Sequence, residues 1–287
     1  MSSEKFTVYT FGGSQWAGVV HLALSEKGFA PTDYNVQDVA LGTADNFDPE
    51  YLKINPNGTV PSFTSPSLSG SLYESTDILR HLDSLSGPPT LVPRDADTKA
   101  KSDAILALVH SSEMDTNVIL LQARDVDEMK AKKSTGLPDW LAARQKKLEQ
   151  EHAAHPDHPF YGPKAKENGY LNDLYAADLG EQHEAFYKST RDSYDKLAAG
   201  MDKLDSLLQL PYAAGEAVTE ADFHAVPWLS HAMRGAGTNA DEIQNFAPLE
   251  ALMQKTVPGY KVGEKTRKWW ANMAETAAFK EVFAKLR

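Results

Sequence analysis

The sequence predicts an α/β N-terminal domain followed by an all-α C-terminal domain. Three observations carry that prediction. Strand-like and helix-like segments alternate as far as residue 85, a Pro-rich stretch SGPPTLVPRDADTKA (86–100) follows, and beyond it strand signals nearly vanish while helical periodicity persists. A chain of 287 residues that is 41% hydrophobic can bury a sizeable core and fill two ordinary domains.

The first element is FTVYT (6–10), β-branched and aromatic, which reads as a short buried strand. Gly12 and Gly13 follow, and then Trp16, Val19, Val20, Ala23 and Leu24 repeat at the spacing of one helix face, with Gly28 placed to terminate the helix. TDYNVQDVAL (32–41) predicts a second strand and PEYLKINP (49–56) a short helical turn. TVPSFTS (59–65) and SGSLYES (69–75) predict two strands joined as a hairpin. STDILRHLDSL (75–85) predicts a helix with Ser75 as N-cap and Ile78, Leu79, Leu82 and Leu85 inward.

Beyond the Pro-rich stretch, residues 96–124 read as helical, 138–152 as a charged helix and 152–169 as a Pro- and Gly-punctuated loop. A long helix is expected over 180–209, with Tyr187, Tyr194, Leu197, Met201, Leu204 and Leu208 on one face. Another begins at Thr219, and a last one covers 264–286.

Charge and composition narrow the function classes. The formal net charge of -11 and the lack of a Lys/Arg-rich run argue against a nucleic-acid partner. The basic run Arg144–Lys147 lies among acidic residues and reads as a solvated helix face. No apolar run reaches the roughly 18 residues of a membrane helix, and MSSEKFTVYTF lacks a signal-peptide core, so a cytoplasmic location without membrane attachment is expected. Cysteine is absent, which excludes disulfides, cysteine-bound zinc and a protein thiol nucleophile. The string HAAHPDHP, with His152, His155, Asp157 and His158, is broken by Pro156 and Pro159, and no metal site is predicted there.

The stretch TFGGSQWAGVVHLAL (10–24) concentrates the functional question on Ser14. Its hydroxyl suits an N-cap. The string Gly12-Gly13-Ser14-Gln15-Trp16 departs from the G-x-S-x-G nucleophile elbow at Trp16. A third role is a ligand-facing donor at a helix N-terminus, where free N–H groups and the helix dipole favour an anion.

Two further stretches bear on the choice. NPNGTVPSF (55–63) puts Val60-Pro61 at the start of a strand, and LYESTDILRHL (72–82) puts Glu74-Ser75 at the mouth of a helix. With GGSQWAGVVHLAL they come in the order and spacing of the thioredoxin-like domain of glutathione transferases. The chain resembles a cytosolic-type glutathione transferase of theta/phi-like or fungal type, closely over 5–85 and more loosely beyond. The resemblance implies a glutathione-binding domain over 1–85, a linker over 86–98 and a helical domain over 99–287, with an insertion at about 125–178 that reshapes or lids the substrate pocket. It implies a cis bond before Pro61 that turns the Val60 backbone toward the cysteinyl part of glutathione. Glu74 and Ser75 then hold the γ-glutamyl end, and Ser14 donates a hydrogen bond that stabilises the glutathione thiolate.

The glycyl end is less well matched. Thr59 stands where Gln or Lys is usual, and ADNFDPEY (44–51) offers Asn46 where a basic residue is usual, with Lys53 a further candidate. Gln15 joins the glutathione-binding candidates. Phe11, Trp16, His110, Met114 and Asn117 are the candidates for the electrophile pocket between the domains. Thr219 and Asp222 match the family's buried capping box, and the KWWANMAETAAFKEVF ending resembles its last helix.

The activity implied is addition of the glutathione thiolate to an electrophilic small molecule by a homodimer, with glutathione as co-substrate. The missing cysteine argues against the thiol-reducing omega-type branch. Glutathione-dependent cis–trans isomerisation of a conjugated alkene is one alternative, and a non-catalytic ligand-binding or regulatory protein on the same fold is another.

Overall fold

A computed structural model describes residues 5–239 and 241–283. Strand β1 (Phe6–Thr10) sits at the centre of a three-stranded sheet. It pairs in parallel with β2 (Tyr34–Asp38) and antiparallel with β3 (Ser62–Thr64). Phe6, Val8 and Thr10 face inward, whereas β2 is an exposed edge. The second half of the expected hairpin does not form a strand: Phe63 and Leu72 exchange backbone hydrogen bonds of 2.7 and 2.9 Å, and pairing stops at that single bridge. Ser67, Ser69, Gly70 and Ser71 offer few side chains to pack on a second strand.

Helix α1 (Gln15–Glu26) buries Val19, Val20, Leu22, Ala23 and Leu24 against the sheet and the helical part of the chain. It ends as expected at Gly28, whose φ of 72° is left-handed: the Phe29 N–H bonds the Leu24 carbonyl and the Gly28 N–H bonds Ser25, each at 3.0 Å. After the short helix α2 (Pro49–Leu52) comes α3 (Ser75–Leu85). Here the sequence reading is corrected twice. Glu74 is the N-cap and Ser75 the first helical residue, and Leu85 is exposed, because the helix ends there and its last turn leaves the core formed by Ile78, Leu79 and Leu82.

Helix α4 (Ala96–Val109) starts at residue 96 as the helical reading expected, inside the end of the Pro-rich stretch, with Asp95 capping it by accepting from the Thr98 N–H at 2.8 Å. The helical stretch expected over 96–124 is interrupted: α4 stops at His110, a 3-10 turn covers Ser112–Met114, and α5 spans Asn117–Leu121. Next come α6 (Val126–Lys133), α7 (Leu137–Ala154) and α8 (Tyr161–Ala176). Helix α8 overturns most of the loop expected over 152–169: residues 152–154 belong to α7, and only 155–160 are irregular. Pro163 falls in its first turn, where no backbone N–H is needed.

The basic run on α7 is not a solvated face either. Arg144 lies over the rings of Phe47 and Trp140 at 4.3 and 4.5 Å, and Lys147 pairs with Asp48 at 2.6 Å. Leu148 and Tyr161 complete this contact, buried against Ala44, Phe47 and Leu52. The α7–α8 pair is therefore clamped onto the region around α2.

Helix α9 (Glu184–Leu207) buries the face read from the sequence. Helix α10 (Glu220–Gly235) is buried along nearly its whole length, and α11 (Ala247–Gln254), α12 (Glu264–Ala274) and α13 (Ala277–Val282) follow. The last two replace one expected helix: Thr276 breaks it and caps α13. Residues 284–286 of that expectation lie outside the described residues. The described residues contain no helix long and apolar enough to cross a membrane.

The start of α10 is built around Asp222. Its buried carboxylate accepts from the Ala213 and Thr219 N–H groups at 2.7 and 2.8 Å, the Thr219 hydroxyl at 3.1 Å and the Trp269 indole at 2.8 Å. Burial pushes its pKa up, while these bonds favour the charged form. Asp222→Ala strands several buried donors and should destabilise the fold by about 3 kcal/mol or more, a loss that urea unfolding measures.

Candidate active site

The chain turns from β1 into α1 through Gly12 and Gly13. Gly13 has φ of 82°, which glycine adopts without strain. Ser14 then caps the helix: its Oγ accepts from the Ala17 N–H at 3.3 Å. Accepting uses a lone pair and leaves the hydroxyl proton available to donate elsewhere. The cap and the ligand-facing donor are thus compatible roles of one hydroxyl.

Ser14 lines a cavity of about 470 Å³ between the sheet-bearing and helical parts of the chain. Phe11, Gln15, Trp16 and Leu41 line it from one side, and Asn117, Leu120 and Leu121 from α5. Leu137 and Trp140 come from α7, and His231 and Arg234 from α10. A smaller pocket of about 210 Å³ lies on the other side of Trp16 and is lined by Asn57, Thr59, Val60, Pro61, Tyr73, Glu74, Ser75 and His110. The Val60-Pro61 peptide is cis. A larger cleft of about 610 Å³ lies between Thr90–Asp95 and Gln209–Thr219. It contains none of the glutathione-binding or Ser14 candidates, so the candidate chemistry is placed in the first two.

Several site candidates from the sequence fall elsewhere. Met114 is a core residue: its side chain packs on Gly200, and its carbonyl accepts from the Trp228 indole at 2.7 Å. His110 lines the smaller pocket beside Glu74 rather than the larger cavity. Asn46 is buried, and its Nδ2 donates to the Gly58 carbonyl at 2.6 Å, so it props the 55–58 turn from behind. Thr59 does reach the smaller pocket, and its carbonyl is fixed by Tyr51 at 2.6 Å and Asn55 at 2.7 Å. Lys53 is exposed and paired with Glu50. Gln15 faces the helices: its Oε1 accepts from the Thr116 hydroxyl at 2.8 Å.

That last bond opens a chain of polar groups. Since the Thr116 hydroxyl donates to Gln15, its oxygen receives the hydrogen of His231 Nδ1 at 2.7 Å. His231 is therefore the Nδ1–H tautomer. Burial, aided by the charge of Arg234, lowers its pKa to about 4. Arg234 donates to the Gly13 carbonyl at 2.9 Å and has no carboxylate partner among the described residues. Burial lowers its pKa too. Its guanidinium keeps donors and charge on the side of the largely apolar cavity.

His231, Arg234, Thr116 and Trp140 were missed in the sequence. A signal existed for two of them: His224 and His231 are seven residues apart on one face of a helix whose middle is largely apolar, and Arg234 lies three further on. Trp140 carried no such signal. It roofs the cavity because its indole, with Arg144, donates to the Leu41 carbonyl at 3.3 and 3.2 Å.

The chain resembles known proteins in sequence and in fold. Residues 8–90 match the family described as glutathione S-transferase, N-terminal domain. Glutathione S-transferase Z1 of Arabidopsis thaliana is 34% identical over 108 residues, 38% of this chain and 47% of that protein. The chain thus spans about half the length of the curated relatives it matches. Among solved structures, beta-etherase LigF from Sphingobium sp. strain SYK-6 superposes with a TM-score of 0.64 at 16% identity, covering 97% of this chain and 98% of the other. A maleyl pyruvate isomerase, a bacterial zeta-class glutathione S-transferase, gives 0.59 at 20% identity, covering 98% of both. The fold is the glutathione transferase architecture, a thioredoxin-like domain joined to an all-α domain.

The low pKa of His231 has a measurable consequence. Folded His231 titrates at about 4 against 6.5 for a free imidazole, so the unfolded chain binds the additional proton between these values. The stability from this group is complete above about pH 6.5 and declines as pH falls toward 4, by about 3 kcal/mol in total. His231→Asn keeps a donor to Thr116 and should flatten that part of the stability profile measured by urea unfolding from pH 7 to 4.

Proposed function

We propose that the chain is a glutathione-dependent enzyme that adds the glutathione thiolate to an electrophilic small molecule. The observation that carries this reading is the Ser14 hydroxyl, capping α1 while facing the cavity, next to a pocket lined by Val60-Pro61 and Glu74-Ser75. Glutathione lies with its γ-glutamyl end against Glu74 and Ser75 and its cysteinyl backbone along Val60, in the manner of a strand added to a sheet edge. Its sulfur reaches Ser14. A thiol with a pKa near 8.5 is mostly protonated at pH 7, and a hydroxyl donor at a helix N-terminus favours the anion.

In this reading residues 1–85 bind glutathione, 86–98 connect, and 99–287 supply the electrophile site, with the 125–178 insertion as its roof. The protein works as a homodimer. The apolar walls at Phe11, Trp16, Leu120, Leu137 and Trp140 suit a flat or conjugated body, and Arg234 suits an acid group on it. The maleyl pyruvate isomerase and beta-etherase among the structural neighbours share the architecture. Arg234 favours a conjugated acid as the electrophile. The thiolate lone pair forms a bond to the carbon β to the carbonyl, the alkene π pair shifts toward the carbonyl carbon, and the carbonyl π pair moves to the oxygen as an enolate. Elimination after rotation gives isomerisation, whereas protonation gives the conjugate.

Ser14→Ala should bind glutathione within about threefold of the parent while raising the thiol pKa by about 1–2 units, read from thiolate absorbance. Turnover of an activated aryl chloride should fall more than about tenfold. Unchanged turnover would move thiol activation to another donor. Arg234→Leu should raise KM for an electrophile bearing a carboxylate about tenfold more than for a neutral analogue of the same shape.

A further inference from the structure

His110 and His224 form a pair that the thiolate chemistry above does not use. His110 is the C-cap of α4 and lines the smaller pocket together with Glu74 and Ser75. Its ring stacks on Trp16 with centroids 4.2 Å apart and planes at 14°. Its Nε2 lies 2.7 Å from Nδ1 of His224, a residue fully enclosed on α10. His224 Nε2 is buried with no hydrogen-bond partner among the described residues.

Only one hydrogen can occupy the 2.7 Å bond, and the enclosure of His224 decides which ring supplies it. An N–H buried without an acceptor is rarer in proteins than an unused lone pair. His224 Nε2 is therefore the bare nitrogen, His224 carries its hydrogen on Nδ1, and it donates to His110 Nε2. His110, accepting at Nε2, must as a neutral ring carry its hydrogen on Nδ1. A second proton on His110 would set two N–H groups head to head. Burial lowers His110, and burial together with His110 and Arg80 lowers His224 well below the ordinary histidine value. Arg80 itself is held by Glu220 at 2.8 and 3.0 Å. The pair thus presents one fixed, neutral donor, His110 Nδ1–H, beside the pocket.

We propose that His110 is a ligand-contacting residue, oriented by His224, that donates from Nδ1 to the α-carboxylate at the γ-glutamyl end of bound glutathione. This rests on the glutathione reading above. The chemistry of the pocket selects the group: Glu74 is an acceptor and suits the ammonium, whereas a neutral N–H needs an acceptor and finds it in the carboxylate. His224 is the positioning residue.

The test combines calorimetric glutathione binding with an analogue lacking that carboxylate, 4-aminobutanoyl-cysteinyl-glycine. His110→Phe keeps the stack on Trp16 and removes the donor, and should weaken glutathione binding about tenfold. The analogue should bind both proteins alike. His110→Asn, whose amide reaches the Nδ1 position, should restore most of the affinity, whereas His110→Gln should not. Nitrogen-15 spectra of the wild-type imidazoles should show His110 protonated at Nδ1 and bare at Nε2. Equal glutathione affinity in wild type and His110→Phe, an equal loss for both ligands, or a bare Nδ1 would overturn the proposal and leave the glutathione reading intact. Absence of glutathione binding by the wild type would overturn both.

Discussion

The buried carboxylate of Asp222 is the constraint on which the rest depends. Four donors converge on it from the 213 turn, the residue before α10 and a tryptophan of α12. A buried carboxylate is tolerated only when its lone pairs are this fully occupied. Once satisfied, it fixes where α10 begins and how the helix is rotated, and α10 then meets the N-terminal half of the chain through polar contacts at several levels. Glu220 holds Arg80 of α3 and Arg234 holds the Gly13 carbonyl before α1. Between them His224 holds His110 and His231 reaches Gln15 through Thr116. The candidate site is the space left between that helix and the sheet.

The polar contacts of α10 differ in what they leave over. Glu220 and Arg80 neutralise each other. His231 uses Nδ1 on Thr116, and Arg234 gives one donor to a carbonyl and keeps its charge for the cavity. Satisfied groups set the geometry, and the incompletely used ones are available to a ligand. Ser14 follows the same rule on the opposite wall, spending an acceptor site on its own helix and retaining its donor.

Much of the site was legible because it depends on local chemistry. Ser14 as cap and Gly28 as terminator rest on neighbours a few residues apart, whereas the cis Val60-Pro61 and the Thr219–Asp222 box were expected from the resemblance to glutathione transferases. Errors came where local signals compete with packing. Gly162, Pro163 and Gly169 suggested a loop over 152–169, but Tyr161 gains a buried place against Phe47, with its hydroxyl on the Phe47 carbonyl at 2.9 Å, and the helix forms around it. The charged run on α7 suggested solvent, but Arg144 found two aromatic faces to lie on.

By itself, then, the sequence determined the α/β-then-α division, the cap at Ser14 and the helix end at Gly28, and the exclusion of any protein thiol. These follow from periodicity and from bonds reached within one turn of backbone. Only the tertiary structure decided that Met114 belongs to the core, that His110 and His224 share one hydrogen, and that Trp140 roofs the cavity. It also decided that Arg234 meets a carbonyl and no carboxylate. Each of these joins residues about 100 or more positions apart, and a side chain's remaining hydrogen-bonding capacity is known only when all its neighbours are.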